Sequence, residues 1–167
     1  MNSRLRLIPN PGVFILSLPI PRYTALLKTH GGNMQQDAHL TFIGIVRSSL
    51  TNLSDCPKQG SEGAPSAQIE IYPEYARAVQ DVKAGDRLVL MTWFHEADRN
   101  VLEVHPRHDL KRPLTGVFST RSPHRPNPIG LHEVVVLQAS ELQLVVEPLE
   151  ALDGTPLIDI KVSMLGR

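Results

Sequence analysis

Short apolar runs separated by turn-forming residues decide what this chain can fold into. AQIEIY (67–72) alternates apolar and polar side chains with period two, as a half-buried strand does. LTFIGIV (40–46) and RLVLMTWF (87–94) are longer apolar runs, and VLEVH (101–105), GVF (116–118), VVVLQ (134–138), LQLVV (142–146) and LIDIKV (157–162) follow. One helix is expected: Pro73 and Glu74 suit a first turn, Tyr75, Ala78, Val79 and Val82 share a face, and AGD (84–86) stops it. The pattern predicts a mainly β single domain, a barrel or strongly curled sheet with one short helix. A Rossmann fold fits badly, because no glycine-rich turn joins a strand to a helix and too few helices are read to cover a parallel sheet. No P-loop, zincin helix or nucleophile elbow is present either.

At 167 residues, 41% apolar and 20% charged, the chain is neither disordered nor a membrane protein by composition. Its 17 basic and 17 acidic residues cancel, but they are segregated. Arg99, Arg107, Lys111, Arg112, Arg121 and Arg125 are opposed within their stretch only by Glu103 and Asp109, whereas 131–160 holds Glu133, Glu141, Glu147, Glu150, Asp153 and Asp159 and no Lys or Arg. A basic surface beside an acidic one suits an anionic partner or a self-complementary oligomer. The lone Cys56 has no disulfide partner, which points to a reducing cytoplasm. Prolines 9, 11, 19 and 21 interrupt the apolar run GVFILSLPI, which is too short to span a bilayer, so no membrane attachment is expected. Residues 1–33 are read as an N-terminal extension and 34–167 as the folded domain.

The segment STRSPHRPNPIG (119–130) breaks the β pattern. Three prolines make it neither central strand nor helix interior. A loop so stiffened lowers the entropy cost of aiming Arg121 or Arg125 at a carboxylate or phosphate. Asn127 sits between Pro126 and Pro128, whose carbonyls accept without a competing N–H. Asn127 either holds an exocyclic amine there or makes a turn through its own backbone. Histidines 95, 105, 108, 124 and 132 repeat no compact ligand spacing, and no metal site is expected. Asp153-Gly154 in EALDGTPLIDIK (150–161) reads as a β-hairpin turn, which leaves Glu150 to be explained separately.

GVFSTRSPHRPNPIGL (116–131) resembles the signature of the TsaA-like, TrmO-type family of S-adenosylmethionine-dependent tRNA methyltransferases. FIGIVRS (42–48), CPKQG (56–60), IEIYPEYARAV (69–79), WFHEADR (93–99) and LDGTPLIDIK (152–161) agree in the same order. The resemblance implies a compact β-barrel methyltransferase, usually a homodimer, that methylates N6 of threonylcarbamoyl-modified adenosine in the tRNA anticodon loop. It places cofactor contacts on Lys58, Gln59, Gly60, Phe94, His95, Arg121, Leu131, Leu149 and Glu150. In that reading Arg121 meets the cofactor carboxylate, Glu150 the ammonium or a ribose hydroxyl, and Phe94 and Leu131 wall the adenine. Asn127, with the carbonyl of Pro126 or Pro128, would hold the reacting N6–H as the catalytic residue, by analogy with other adenine-N6 methyltransferase loops. The chain departs from the family at His124, at Lys58 in place of an arginine, and at LHEV (131–134), where a smaller polar residue is usual. The alternatives are a cofactor-binding regulatory module of the same fold and a methyltransferase for a small molecule.

Overall fold

The computed structural model describes residues 39–164. The expectation of an extension over 1–33 falls outside the described residues. Among the described residues eight strands form: β1 Gly44–Arg47, β2 Ala67–Ile71, β3 Arg87–Trp93, β4 Glu103–Val104, β5 Thr115–Gly116, β6 Ile129–Ala139, β7 Gln143–Glu147 and β8 Pro156–Val162. Six of them close a barrel in the order β1-β2-β7-β6-β3-β8, with β8 returning to pair with β1. Every pairing is antiparallel. The short β4–β5 ribbon lies in the connection from β3 to β6.

Alternation in the sequence becomes the inside and outside of this barrel. Leu88 and Leu90 of β3, Val134 and Val136 of β6, Leu144 and Val146 of β7, and Ala67, Ile69 and Ile71 of β2 all point inward and are buried. Val46 and Leu157 complete the core from β1 and β8. Each large aliphatic side chain withdrawn from water contributes about 1.5–3 kcal/mol. A barrel of six strands is narrow enough for side chains to fill its interior. The apolar filling stops at one end. There, where β3 finishes and β6 starts, the inward positions are Thr92, Gly130 and His132, and both Thr92 and His132 are buried.

Four expectations need correction. GVF is not a strand throughout: β5 ends at Gly116, and Val117–Ser119 form a 3-10 turn closed by Thr120, whose amide and hydroxyl both donate to the Val117 carbonyl. The strand read as VVVLQ starts at Ile129, directly after the Pro128 that forbids earlier ladder bonding. The helix is only α1 Ala76–Val79, preceded by a 3-10 turn at Pro73–Tyr75; Val79 is buried, Tyr75 and Val82 are half-buried, and Ala78 faces solvent. Asp153-Gly154 is not a hairpin turn, since β7 and β8 do not pair. Gly154, at φ 78°, donates to the Val46 carbonyl, and the Asp153 carboxylate accepts from the Ser48 amide, so this turn fastens the chain to the end of β1.

Candidate functional site

The polar end of the barrel gathers much of the predicted cofactor set. His132, inward on β6, places Nδ1 3.0 Å from Oε1 of Glu150 and Nε2 2.9 Å from the Thr92 hydroxyl. Phe94 packs edge-on against the imidazole with ring centroids 5.9 Å apart. Gly130 is required between them: a Cβ there would meet the Thr92 hydroxyl and would come within 2.6 Å of both His132 Nε2 and Phe94 Cζ. Gly60 approaches from the 48–66 loop, and a Cβ on it would lie 3.1 Å from Oε2 of Glu150 and from Pro148. Any larger residue at either glycine fills this cradle.

Glu150 is the electrostatic centre. Its side chain is 18% exposed, and burial by itself would raise its pKa. The close contact and charge of His132, its own backbone amide and the charge of Arg121 outweigh that, and hold the carboxyl below the ordinary glutamate range. The same negative charge contributes, after burial and Asp55, to pushing the Cys56 thiol up, so Cys56 stays a neutral thiol. Arg121 is exposed and donates from Nη2 to the Leu131 carbonyl at 3.1 Å, which places a cation at the rim.

The remaining predicted residues reach the site differently or not at all. Leu131 faces outward on β6 and is 48% exposed, and its carbonyl accepts from Arg121. Leu149 is core, with its amide bonded to the Pro65 carbonyl; it supports its neighbour Glu150. Lys58 donates to the Arg107 carbonyl at 2.7 Å, and Arg107 pairs with Glu62 at 2.8 Å. Both bonds tie the loop carrying Gln59 and Gly60 to the turn at 106–108. That turn is strained: Arg107 and His108 both sit in the left-handed region, at φ 61° and 59°. His95 is exposed, 3.9 Å from Glu96.

The proline-rich loop is fixed by arginines from within. Arg125 donates to the carbonyls of Ser122, Val117 and Thr120 at 2.7, 3.0 and 2.6 Å. It is a scaffold, and the reading of Arg125 as a free anion ligand is corrected. The Pro126 carbonyl accepts from Arg99, and the Pro128 carbonyl from the Phe94 amide. Each of these carbonyls accepts one such bond and keeps a second lone pair. Asn127 is exposed; its carbonyl closes a tight turn with the Ile129 amide, while its side-chain amide makes no bond within the described residues. The histidines scatter: His105 bonds the Arg112 carbonyl and His124 the Asp98 amide. Sequence reasoning placed no role on Thr92 or His132. The available signal was His132 in phase with the inward residues Val134 and Val136.

A family model for the tRNA-methyltransferase O N-terminal domain matches residues 45–164. The chain is 47% identical over 119 residues to a probable S-adenosyl-L-methionine-binding protein of Methanothermobacter thermautotrophicus, covering 71% of this chain and 85% of that protein. It is 43% identical to a probable S-adenosyl-L-methionine-binding protein of Archaeoglobus fulgidus over 71% of this chain, spanning 32% of that longer protein. Among solved structures, TrmO from Pseudomonas aeruginosa superposes with a TM-score of 0.61 at 28% identity, covering 76% of this chain and 55% of the other.

Proposed function

The chain belongs to the family of the tRNA-methyltransferase O N-terminal domain, and from that premise we propose that it binds S-adenosylmethionine at the polar end of the barrel and methylates N6 of a threonylcarbamoyl-modified adenosine in a tRNA anticodon loop. The observation that carries the cofactor reading is the ionised, half-buried Glu150 facing the cradle at Gly60, with the cation of Arg121 near enough to act on it. A zwitterionic ligand needs such a pair: a carboxylate for its ammonium or a ribose hydroxyl, and a guanidinium for its carboxylate. Phe94 offers an aromatic surface for the adenine. When bound, the cofactor supplies an electrophilic methyl group on a sulfonium.

The chain's own contribution is placement. Holding donor methyl and acceptor nitrogen in line supplies about 7–11 kcal/mol of the barrier. Arg125, Arg99 and the Phe94 amide hold the loop so that the free side chain of Asn127 stands on a rigid support. In this proposal the side-chain oxygen of Asn127 would accept a hydrogen bond from the substrate N6–H and so aim the nitrogen at the methyl group; transfer would break the methyl–sulfur bond, leave a neutral thioether and release the N6 proton to solvent. An anticodon loop is single-stranded, so its base splays into a pocket without melting a duplex. Lys111 and Arg112 lie exposed on the β4–β5 loop, where they are available to phosphate.

A methyl-transfer assay on tRNA with and without the threonylcarbamoyl group tests this: incorporation is expected only with the modified tRNA. The second reading, a cofactor-binding module without RNA chemistry, is favoured by one observation. The curated relatives reported above are named for binding S-adenosyl-L-methionine and not for a transfer. Tight cofactor binding with no transfer to any tRNA would select it.

A further inference from the structure

Among the described residues, the one buried side-chain polar atom without an aligned hydrogen-bond partner is Nδ1 of His132. It nevertheless lies 3.0 Å from Glu150 Oε1, close enough to bond once the carboxylate turns slightly into line. That contact holds the carboxylate from one side, with its other oxygen turned toward Gly60. We propose that His132 is a positioning residue of the cofactor pocket: a hydrogen on Nδ1 fixes Glu150 by Oε1 and leaves Oε2, beside Gly60, to receive the ammonium or a ribose hydroxyl of the ligand. This deepens the cofactor reading above and rests on it for the identity of the ligand.

Both ends of the imidazole require the same tautomer. Nε2 is 2.9 Å from the Thr92 hydroxyl, which is fully buried. With Nε2 bare, Thr92 donates its hydrogen there and Nδ1–H faces the carboxylate, so each atom has a partner. With the hydrogen on Nε2 alone, the Thr92 hydrogen has no side-chain acceptor, and the Nδ1 lone pair confronts a carboxylate lone pair at 3.0 Å. The ring cannot slide away. Phe94 stands edge-on at 5.9 Å, and the space of a Cβ at Gly130 is already taken by Thr92, His132 and Phe94. The charged and titratable groups acting on Glu150 are His132 from β6 and Arg121 from the proline-rich loop, while Glu150 in turn acts on the neutral thiol of Cys56 from the 48–66 loop.

The test has a ligand-free arm and a ligand arm. Nitrogen-15 NMR of the wild-type ring should show hydrogen on Nδ1; hydrogen on Nε2 alone overturns the proposal. Calorimetry with S-adenosylmethionine then compares wild type, His132→Asn, which keeps a donor near Nδ1, and His132→Leu, which fills the space without one. His132→Asn is expected within about threefold of wild type, and His132→Leu about tenfold weaker in mildly acidic buffer. The His132→Leu deficit should shrink in alkaline buffer, where Glu150 ionises unaided. A deficit constant with pH, equal in both variants, would mean a merely structural histidine and sinks the idea. If His132→Leu is unstable, Thr92→Val/His132→Leu removes the stranded hydroxyl and serves the same comparison. Wild type that binds no S-adenosylmethionine at any pH defeats the cofactor reading alone, and the tautomer still decides the role of His132.

Discussion

Glu150 keeps its charge although most of its side chain is covered. Burial opposes ionisation, but His132 and then Arg121 more than compensate, so the folded-state pKa lies below the unfolded one. Its stabilisation is therefore fully present above the unfolded value and is lost as pH falls through the folded value. Glu150→Gln should be less stable than wild type near neutrality. The gap should close on acidification from roughly pH 5 downward, as followed by urea midpoints across pH; a gap that persists in acid would show that the charge contributes nothing. Arg121 acts at the same scale. A hydrogen bond to a charged group contributes about 1.5–3 kcal/mol, so Arg121→Ala should bind S-adenosylmethionine about tenfold more weakly by calorimetry. Lysine there should recover only part, since it lacks the planar fork. Affinity equal to wild type in Arg121→Ala would place the ligand carboxylate elsewhere.

Among the elements, the 119–130 loop behaves as a small framework. Prolines limit its backbone, and Arg125 gathers two of its carbonyls and that of Val117 around one guanidinium. Hydrogen bonds to a charged group contribute about 1.5–3 kcal/mol. Arg125→Ala should thus lower stability by about that amount and weaken cofactor affinity without any direct contact to the ligand. Unchanged urea midpoint and affinity would show that the prolines suffice. Residue types made the loop visible in the sequence, yet they did not say which arginine faces outward, because that depends on carbonyls presented by a 3-10 turn at Val117–Ser119. Strand positions were legible wherever alternation ran unbroken, as in AQIEIY, since period two is a local property. The Asp-Gly turn was misread because its partner, Val46, comes from a distant strand. His132 was passed over for a related reason: its meaning lies in Glu150 and Thr92, which only the closed barrel brings within 3 Å.

For the whole molecule, the charge segregation in the sequence is partly spent internally. Arg99, Arg107 and Arg125 are committed to Pro126, Glu62 and loop carbonyls. Lys111 and Arg112 remain exposed, although Arg112 has Asp109 3.5 Å away. Each phosphate contact adds about 0.7 to the slope of log affinity against log salt for a single strand. Lys111→Ala/Arg112→Ala should bind tRNA more weakly and with a shallower slope, at unaltered cofactor affinity; a slope matching wild type makes both residues ordinary surface charges. Ile129, Leu131 and Leu137 stand exposed on the outer face of β6, and a two-fold pairing would cover such a face. Light scattering is expected to give the mass of two chains at micromolar concentration, and the mass of one would contradict a homodimer. The barrel itself closes between β1 and β8, its first and last strands. During synthesis β1 therefore leaves the ribosome long before the strand that seals it. Until β8 emerges, the growing sheet has two open flanks, each able to pair with a neighbouring nascent chain. Folding that waits on so distant a partner is slow compared with a helical domain of equal length, and crowded polysomes are where this protein is most exposed to misassembly.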